Sequence, residues 1–185
     1  MWWDLLFFLI TAVWLMEFVL FRDRKPKEGT KREKQSFVWI AAAVSGSVII
    51  SVTSRELVFF RLQEHGTLLM SGLLLYSWGV ALRYWGILKL GRMFSRDVAV
   101  ESAVDLVSSG PYRTLRHPLY TALLFCTAGI ALYMGSAAGL AAVIVFVLPA
   151  LLIRMKLEER MLTDALGEGY QTWCSSRYRF IPYVY

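Results

Sequence analysis

Apolar residues occupy five long stretches of the chain, and polar segments separate these stretches from one another. The stretches cover residues 2–21, 37–53, 67–88, 118–134 and 140–157. Each has close to the ~20 residues that an α-helix needs to cross the hydrocarbon core of a bilayer. The pattern therefore predicts an all-α, polytopic membrane protein with about five transmembrane helices.

The composition supports this class. Hydrophobic residues make up 57% of the chain and charged residues 18%, which is too apolar for an ordinary soluble domain. The first apolar stretch lacks a basic start and a small-residue cleavage site, so we expect it to remain as a helix. Cys126 and Cys174 lie far apart and show no metal-ligand spacing, so we expect neither a disulfide nor a metal site.

Lysine and arginine alternate between dense and sparse segments. Seven lie in 22–36, two in 54–66, five in 89–117, none in 135–139 and five in 154–185. The positive-inside rule therefore predicts that 22–36, 89–117 and the C-terminal segment are cytoplasmic and that the N-terminus is outside. The net charge of +6 follows from these loops and indicates contact with membrane lipid. No basic module with interleaved aromatic residues indicates binding to nucleic acid.

The link "GSAAG" at 135–139 is too short to do more than join two antiparallel helices. Both outer ends of this predicted helical hairpin consequently emerge on the same, cytoplasmic side. One end is the segment 110–120 and the other is 154–170, and polar residues accumulate in both. We therefore expect a cytoplasmic pocket between them.

The first of these segments reads "GPYRTLRHPLY". Pro118 suits the first turn of a helix, which places His117 near the N-cap and leaves backbone N–H groups available to an anion. Tyr120 lies one turn further along, and the turn at 110–111 is expected to bring Tyr112 back over the same place. The alternative is that Arg113 and Arg116 only reach lipid headgroups and that the tyrosines form an interfacial belt.

The second segment carries Arg154 and Glu158 at i, i+4, on one face of a helix that we expect to end at Gly167. Glu159 is turned away from that face by about 100 degrees. The alternative is a simple intrahelical ion pair. However, Arg154 lies in the last turn of an apolar stretch, where ionisable residues usually face a protein interior or a cavity. Arg83, deep in another stretch, needs a partner for the same reason, and we expect it to contribute to substrate binding.

Together, the two segments offer a helix N-terminus, a carboxylate and several aromatic rings. These groups complement a ligand that carries a carboxylate, an ammonium group and a further cationic centre. S-adenosylmethionine carries these three charges. We therefore expect it as the cofactor.

Three motifs carry a resemblance to a known family. "LVSSGPYRTLRHPLY" (106–120), "EERMLTDALGEGYQTW" (158–173) and "FIP" (180–182) closely resemble the isoprenylcysteine carboxyl methyltransferases and their phospholipid methyltransferase relatives. The resemblance covers about the C-terminal 100 residues and implies a methyltransferase core at 67–185 after a motif-free two-helix region at 1–66. It implies that the cofactor lies between segments 104–120 and 154–173.

Carried over position by position, the resemblance assigns a role to each matching residue. Arg154 and Glu158 are the implied catalytic residues, and Arg154 binds the carboxylate of the substrate. The implied cofactor contacts are Leu106, Val107, Tyr112, His117, Pro118, Leu119, Tyr120 and Glu158. Eukaryotic members have His at the position of Val104 and Gln at that of Asp97, so these two contacts stay open.

The implied activity is carboxyl O-methylation of a lipophilic, isoprenylcysteine-like or prenylated substrate. Because a carboxylate is already deprotonated at neutral pH, alignment and removal of water matter more than a base. We expect the lipophilic tail to lie between 67–88 and 118–134. A lipid methyltransferase acting on a phospholipid amine or on a lipophilic hydroxyl or enol is one alternative, and a non-catalytic membrane protein held by ion pairs is another. The sequence does not indicate an oligomeric state.

Overall fold

The fold is built almost entirely of α-helices. A computed structural model describes residues 2–21, 31–54, 62, 66–91 and 106–182, with the backbone alone for 31–34. Its elements are α1 (Trp2–Leu20), α2 (Lys31–Thr53), α3 (Gly66–Leu90), a 3₁₀ turn (Gly110–Arg113), α4 (Pro118–Tyr133), α5 (Ala137–Ala142), a π-helical turn (Val143–Val147), α6 (Leu148–Leu166) and α7 (Glu168–Ser175). The described residues form no strand, and one isolated bridge joins Leu115 to Tyr178. The predicted all-α class is confirmed.

Each of the five apolar stretches coincides with a helical segment. Among the described residues, three helices are long and apolar enough to cross a membrane, namely Trp2–Leu20, Gln35–Thr53 and the continuous helix Ala137–Leu166. α4 is a shorter apolar helix, and α3 has 25 residues but a more mixed composition. Large apolar side chains such as Phe8 and Leu74 point outward, 67% and 68% exposed, as lipid-facing residues do. The number and direction of the crossings stay predictions.

Glycines allow α3 and α4 to pack with their backbones in contact. A Cβ atom at Gly129 would lie 2.5 Å from the backbone nitrogen of Tyr76, and one at Gly79 would lie 2.8 Å from the nitrogen of Cys126. Small residues are typical of such close helix pairs in membranes. Apolar and aromatic side chains pack around this contact as one core cluster, which includes Phe7, Trp14, Leu73, Tyr76, Val80, Cys126, Ile130 and Tyr133.

This close packing corrects one of our expectations. We expected a lipophilic tail to lie between 67–88 and 118–134, which are the stretches that form α3 and α4. Because the facing sides of these helices approach to backbone contact, no acyl or prenyl chain fits between them. A tail must instead lie against another face of the bundle.

A tight turn joins α4 to the following helix and confirms the predicted hairpin. Gly135 adopts a positive φ of 62°, which favours glycine, and Ser136 caps α5 by accepting from the Gly139 N–H at 2.7 Å. The turn is shorter than the five-residue link in the sequence, because α5 already begins at Ala137. The start of α4 and the end of α6 therefore lie at the same end of the bundle.

The second helix of the hairpin contains an unpredicted π-helical turn at Val143–Val147. Pro149 follows within the first turn of α6. Proline lacks an N–H and clashes with the carbonyl four residues earlier, and a wider turn relieves both problems. The helix consequently continues without a break from Ala137 to Leu166.

Polar contacts bind α1 to the helices of the core. Arg83 on α3 forms a two-pronged ion pair with the fully buried Glu17 on α1, with Nε 2.6 Å from Oε2. At the other end of α1, the Tyr133 hydroxyl donates to Asp4 at 2.9 Å. Glu17 is therefore the partner that the position of Arg83 requires. Arg83 is held there, and its assignment to substrate binding stays a prediction.

Replacing Gly129 with alanine should destabilise the protein, whereas the same change at Gly46 should not. The new methyl group at residue 129 would meet the α3 backbone, and overpacking of this kind costs about 1–3 kcal/mol. Nothing lies within 4 Å of a Cβ atom at Gly46 on α2, so that variant is the matched control. Thermal unfolding of both variants in detergent measures the difference. Equal melting temperatures would contradict the close α3–α4 contact.

Replacing Glu17 with leucine should cost about 3–5 kcal/mol, because it leaves the Arg83 charge buried without its carboxylate. Adding Arg83→Leu removes that stranded charge, so the double variant should unfold at a higher temperature than Glu17→Leu alone. The measurement is thermal unfolding of the two single variants and the double variant. Additive losses in the double variant would show that the two side chains do not interact.

Candidate functional site

The N-terminus of α4 lies at the centre of the candidate site. His117 is the N-cap residue and Pro118 the first helical residue, as the sequence predicts. The carbonyl of His117 accepts the N–H groups of Tyr120 and Thr121 at 3.1 and 3.2 Å. His117 itself is buried, so its side chain faces the protein interior and not solvent.

Tyr120 connects this helix to the two charged residues predicted on α6. Its hydroxyl donates to Glu158 Oε2 at 2.6 Å and accepts from Arg154 Nε at 3.4 Å. Arg154 is only 2% exposed and also donates to the hydroxyl of Ser36 at the start of α2. Arg154 and Glu158 thus share a face, as predicted, but a tyrosine hydroxyl links them. Ser36 belongs to the N-terminal two-helix region, which carries no motif, so the sequence did not indicate this contact.

Glu159 is a member of the site that our sequence reasoning left outside the main constellation. Its carboxylate accepts from His117 Nε2 at 3.1 Å and lies 2.7 Å from Arg179 Nη2 and 3.7 Å from Arg116 Nη1. Glu158 and Glu159 face different partners because neighbouring helical residues are rotated by about 100 degrees about the helix axis. This rotation directs Glu158 to Tyr120 and Glu159 to His117. The sequence did carry a signal for Glu159, because this acid follows Glu158 directly and the facing helix begins next to His117.

The electrostatics of Glu159 follow from this cluster. The helix Ala137–Leu166 is about 45 Å long, so its charged last third extends beyond a hydrocarbon core of about 30 Å. Partial burial raises the pKa of the Glu159 carboxyl, but His117 and Arg179 more than offset this, and the pKa lies below its usual value. Glu159 is therefore an ionised residue of the cluster and a weak base.

Tyr112 lies in the 3₁₀ turn, where it packs against α3. Its hydroxyl is 3.7 Å from the position of a Cβ at Gly86, and the side chain of Leu119 covers the same glycine. Burial raises the pKa of the Tyr112 phenol, and the nearby charge of Glu158 raises it further. Tyr112 therefore lies against α3 beside Leu119, and its predicted contact with the cofactor stays a prediction.

The end of α7 and the chain after it close over the segment 106–121, a contact that the sequence did not reveal. Backbone bonds join Arg116 N–H to the Tyr178 carbonyl at 2.8 Å and Tyr178 N–H to the Thr114 carbonyl at 2.9 Å. Four side-chain bonds add to these: Arg177 Nε to the Tyr112 carbonyl, Arg116 Nη2 to the Cys174 carbonyl, Trp173 Nε1 to Ser108 Oγ, and Thr121 Oγ1 to the Phe180 carbonyl. We call residues 173–180 the C-terminal clasp.

The remaining predicted residues lie at the edge of this arrangement. Leu106 and Val107 are half-buried and precede Ser108, which the clasp holds through Trp173. Asp97 and Val104 lie outside the described residues. A shallow groove of about 320 Å³ runs beside the site on α6, lined by Lys156, Glu159, Arg160, Thr163, Asp164 and Arg179.

The structure thus brings His117, Tyr120, Arg154 and Glu158 together, adds Glu159, and places Tyr112 beside Leu119. It forms a largely buried polar site at one end of the bundle. The site combines a helix N-terminus, a linked arginine and carboxylate, and tyrosine rings. Such a set can hold a ligand of mixed charge.

Comparison with known proteins gives two kinds of match. The profile of the phospholipid methyltransferase family matches residues 67–169, which include every predicted site residue. Two Arabidopsis thaliana proteins are similar over most of the chain. Protein-S-isoprenylcysteine O-methyltransferase B is 27% identical over 161 residues, 84% of this chain and 82% of the relative. Protein-S-isoprenylcysteine O-methyltransferase A is 27% identical over 138 residues, 74% of this chain and 70% of the relative.

A third relative is the uncharacterized protein YpbQ of Bacillus subtilis (strain 168), 26% identical over 83 residues, 45% of this chain and 49% of the relative. The family match covers more than half of the chain, from the start of α3 into α7. It leaves out α1, α2 with Ser36, and the C-terminal clasp. Tyr112, His117, Tyr120, Arg154, Glu158 and Glu159 lie within the matched region, and the chain belongs to the phospholipid methyltransferase family.

Proposed function

We propose that this chain is an integral membrane methyltransferase that uses S-adenosylmethionine to methylate the carboxylate of a lipophilic, isoprenylcysteine-like acceptor. Membership of a methyltransferase family supports the transfer of a methyl group. The Arabidopsis relatives named as isoprenylcysteine O-methyltransferases support the acceptor class. The observation that carries the proposal is the Tyr120 hydroxyl, which joins buried Arg154 to Glu158 at the N-terminus of α4.

The groups at this site fit the proposed methyl donor. Glu158 accepts from Tyr120 through Oε2, and its Oε1 has no partner among the described residues. The Leu119 N–H, at the positive end of α4, has no acceptor there either. A carboxylate and a helix N-terminus are the partners that an ammonium group and a carboxylate require. When bound, S-adenosylmethionine supplies a methyl group made electrophilic by the sulfonium.

Arg154 is suited to hold the carboxylate of the acceptor. The Ser36 and Tyr120 hydroxyls fix the orientation of its guanidinium group, and a fixed guanidinium plane favours two-pronged binding of a carboxylate. Its burial excludes water, which would otherwise surround the acceptor oxygen. Arg154 thus orients the anion, and no proton has to be removed from it.

The apolar part of the acceptor needs a surface next to Arg154. Since α3 and α4 are in backbone contact, the proposal places the tail against α2 and α6. Phe37, next to Ser36, is 40% exposed and Ile153, next to Arg154, is 64% exposed. A chain lying along these residues reaches the arginine directly from the lipid. By the positive-inside rule, this end of the bundle faces the cytoplasm and the N-terminus lies outside.

A phospholipid amine is the second candidate acceptor, and the name of the family favours it. An amine or a hydroxyl must lose a proton during methylation, which calls for a base. Glu159 is the acid nearest to that role, but its contacts with His117 and Arg179 lower its pKa. This weak basicity favours a carboxylate acceptor over an amine. A non-catalytic role accounts for the Arg83–Glu17 pair but not for the family match.

Wild-type protein in detergent should bind S-adenosylhomocysteine, and Glu158→Gln should weaken that binding at least tenfold, because it removes the carboxylate charge from the site. Tyr120→Phe should weaken it less, since Glu158 stays. Glu168→Gln, at an exposed position on α7, is the matched control and should bind within twofold of wild type. Calorimetry gives the dissociation constants. Absence of binding by folded wild-type protein would exclude the proposal.

Labelled methyl groups should appear on N-acetyl-S-farnesylcysteine as a base-labile ester, and not on phosphatidylethanolamine in vesicles. Arg154→Gln should reduce kcat/KM for the farnesylated acid about 100-fold, because the carboxylate loses its cation. Arg160→Gln, an exposed arginine on the same helix, is the control and should keep its activity. Methylation of the phospholipid amine alone would establish the second candidate acceptor instead.

A further inference from the structure

The shallow groove on α6 presents charges that neither the fold nor the proposed function uses. Its lining includes Lys156, Arg160 and Asp164, three exposed residues at intervals of four along one side of the helix. Within the described part of the chain, no hydrogen bond or ion pair engages these three side chains. The other carboxylate of the lining, Glu159, is already bound by Arg179. The groove therefore offers two cations and one anion that are unpaired.

These charges lie on the opposite side of α6 from the proposed methyl-transfer site. Each residue of an α-helix is rotated by about 100 degrees from the one before, so Lys156 and Arg160 are turned by about 200 and 240 degrees from Arg154. Arg154 points into the bundle, where it is 2% exposed and donates to Tyr120. A ligand in the groove is consequently separated from the methyl-transfer site by the helix itself.

The groove continues the side of α6 that faces lipid. Ile153, 64% exposed, is the last large apolar side chain of this helix to be exposed. Lys156 follows it after about 4.5 Å along the axis and Arg160 after about 10.5 Å, both within about 60 degrees of the same direction. Headgroups occupy a layer of about 5–8 Å on each side of the hydrocarbon core. The two cations therefore lie at the depth of the phospholipid headgroups.

The order of the charges along the axis matches one class of headgroup. The cations come first, next to the lipid, and Asp164 follows one turn further out, about 6 Å beyond Arg160. In phosphatidylethanolamine the phosphate is attached to the glycerol, and a primary ammonium lies at the free end of a short ethylene link. Cationic side chains suit the phosphate, and a carboxylate suits the ammonium. A headgroup that carries only negative charge would instead be repelled by Asp164.

We propose that the groove is a binding site for a zwitterionic aminophospholipid of the phosphatidylethanolamine type, which is held there as a bound lipid and not as a methyl acceptor. Lys156 and Arg160 hold the phosphate, Asp164 accepts from the ammonium, and the acyl chains lie along Ile153. The site does not depend on the proposed function, because its charges face away from Arg154. The protein can therefore bind this lipid without methylating it.

Competition between lipids tests the site. The detergent-solubilised protein is mixed with equal amounts of phosphatidylethanolamine, phosphatidylcholine and phosphatidylglycerol, and native mass spectrometry measures which lipid it retains. Phosphatidylethanolamine should be retained in preference to both others. The choline headgroup has no ammonium N–H to donate to Asp164, and the glycerol headgroup has no cation.

Variants of the lining separate the two halves of the headgroup. Lys156→Gln combined with Arg160→Gln should weaken retention of phosphatidylethanolamine about tenfold, because two cations at headgroup depth are lost. Asp164→Asn should reduce the preference for phosphatidylethanolamine over phosphatidylcholine about two- to fivefold. Arg113→Gln and Glu168→Gln, at exposed positions outside the groove, are the matched controls and should retain lipid as wild type does. Unchanged melting temperatures without lipid would show that every variant is folded.

Two results would overturn the inference. Retention of phosphatidylglycerol as strong as that of phosphatidylethanolamine would show that the groove responds to positive charge alone. Retention by the Lys156 and Arg160 double variant equal to that of wild type would show that the lipid is bound elsewhere on the bundle. Both results leave binding of S-adenosylhomocysteine untouched, so they are distinguishable from a failure of the proposed function.

Discussion

The antiparallel return of the chain at Gly135 is the constraint on which the site depends. Since three residues, 134–136, separate α4 from α5, the start of α4 and the end of α6 must lie side by side. Neither segment forms a site alone. Tyr120 requires Glu158, and His117 requires Glu159, so both polar contacts exist only because the turn is short. The C-terminal clasp then fixes the approach to α4 by pairing with residues 114 and 116.

Two adjacent acids on α6 perform different tasks because a helix turns by about 100 degrees per residue. Glu159 is surrounded by cations and holds His117 and the clasp in place through Arg179. Glu158 keeps one oxygen without a described partner. The structure thus separates a carboxylate that organises the site from one that the proposed function assigns to the methyl donor. Under the proposed function, this division lets a charged site be both rigid and able to bind a ligand.

Much of this arrangement is predictable from the sequence, because it follows from local rules. Helix positions follow from apolar runs, the His117 cap from Pro118, and the end of α6 from Gly167. The pairing of Arg83 with Glu17 is not predictable in this way, since it depends on which face of α1 meets α3. The clasp relies largely on backbone groups, which every residue has, so its side chains give little sign of it. The position of a tail depends on glycine contacts that only the packed helices reveal.

The two polar ties of α1 have a consequence for the surrounding lipid. Asp4 binds Tyr133 near one end of this helix, and Glu17 binds Arg83 near the other, about 20 Å away along the axis. A helix held at both ends does not tilt or slide on its own to match a bilayer of different thickness. Such a mismatch must be absorbed by deformation of the lipid or by tilting of the whole bundle. A change in the acyl-chain length of the surrounding lipid therefore acts on the whole bundle, including the end that carries the site.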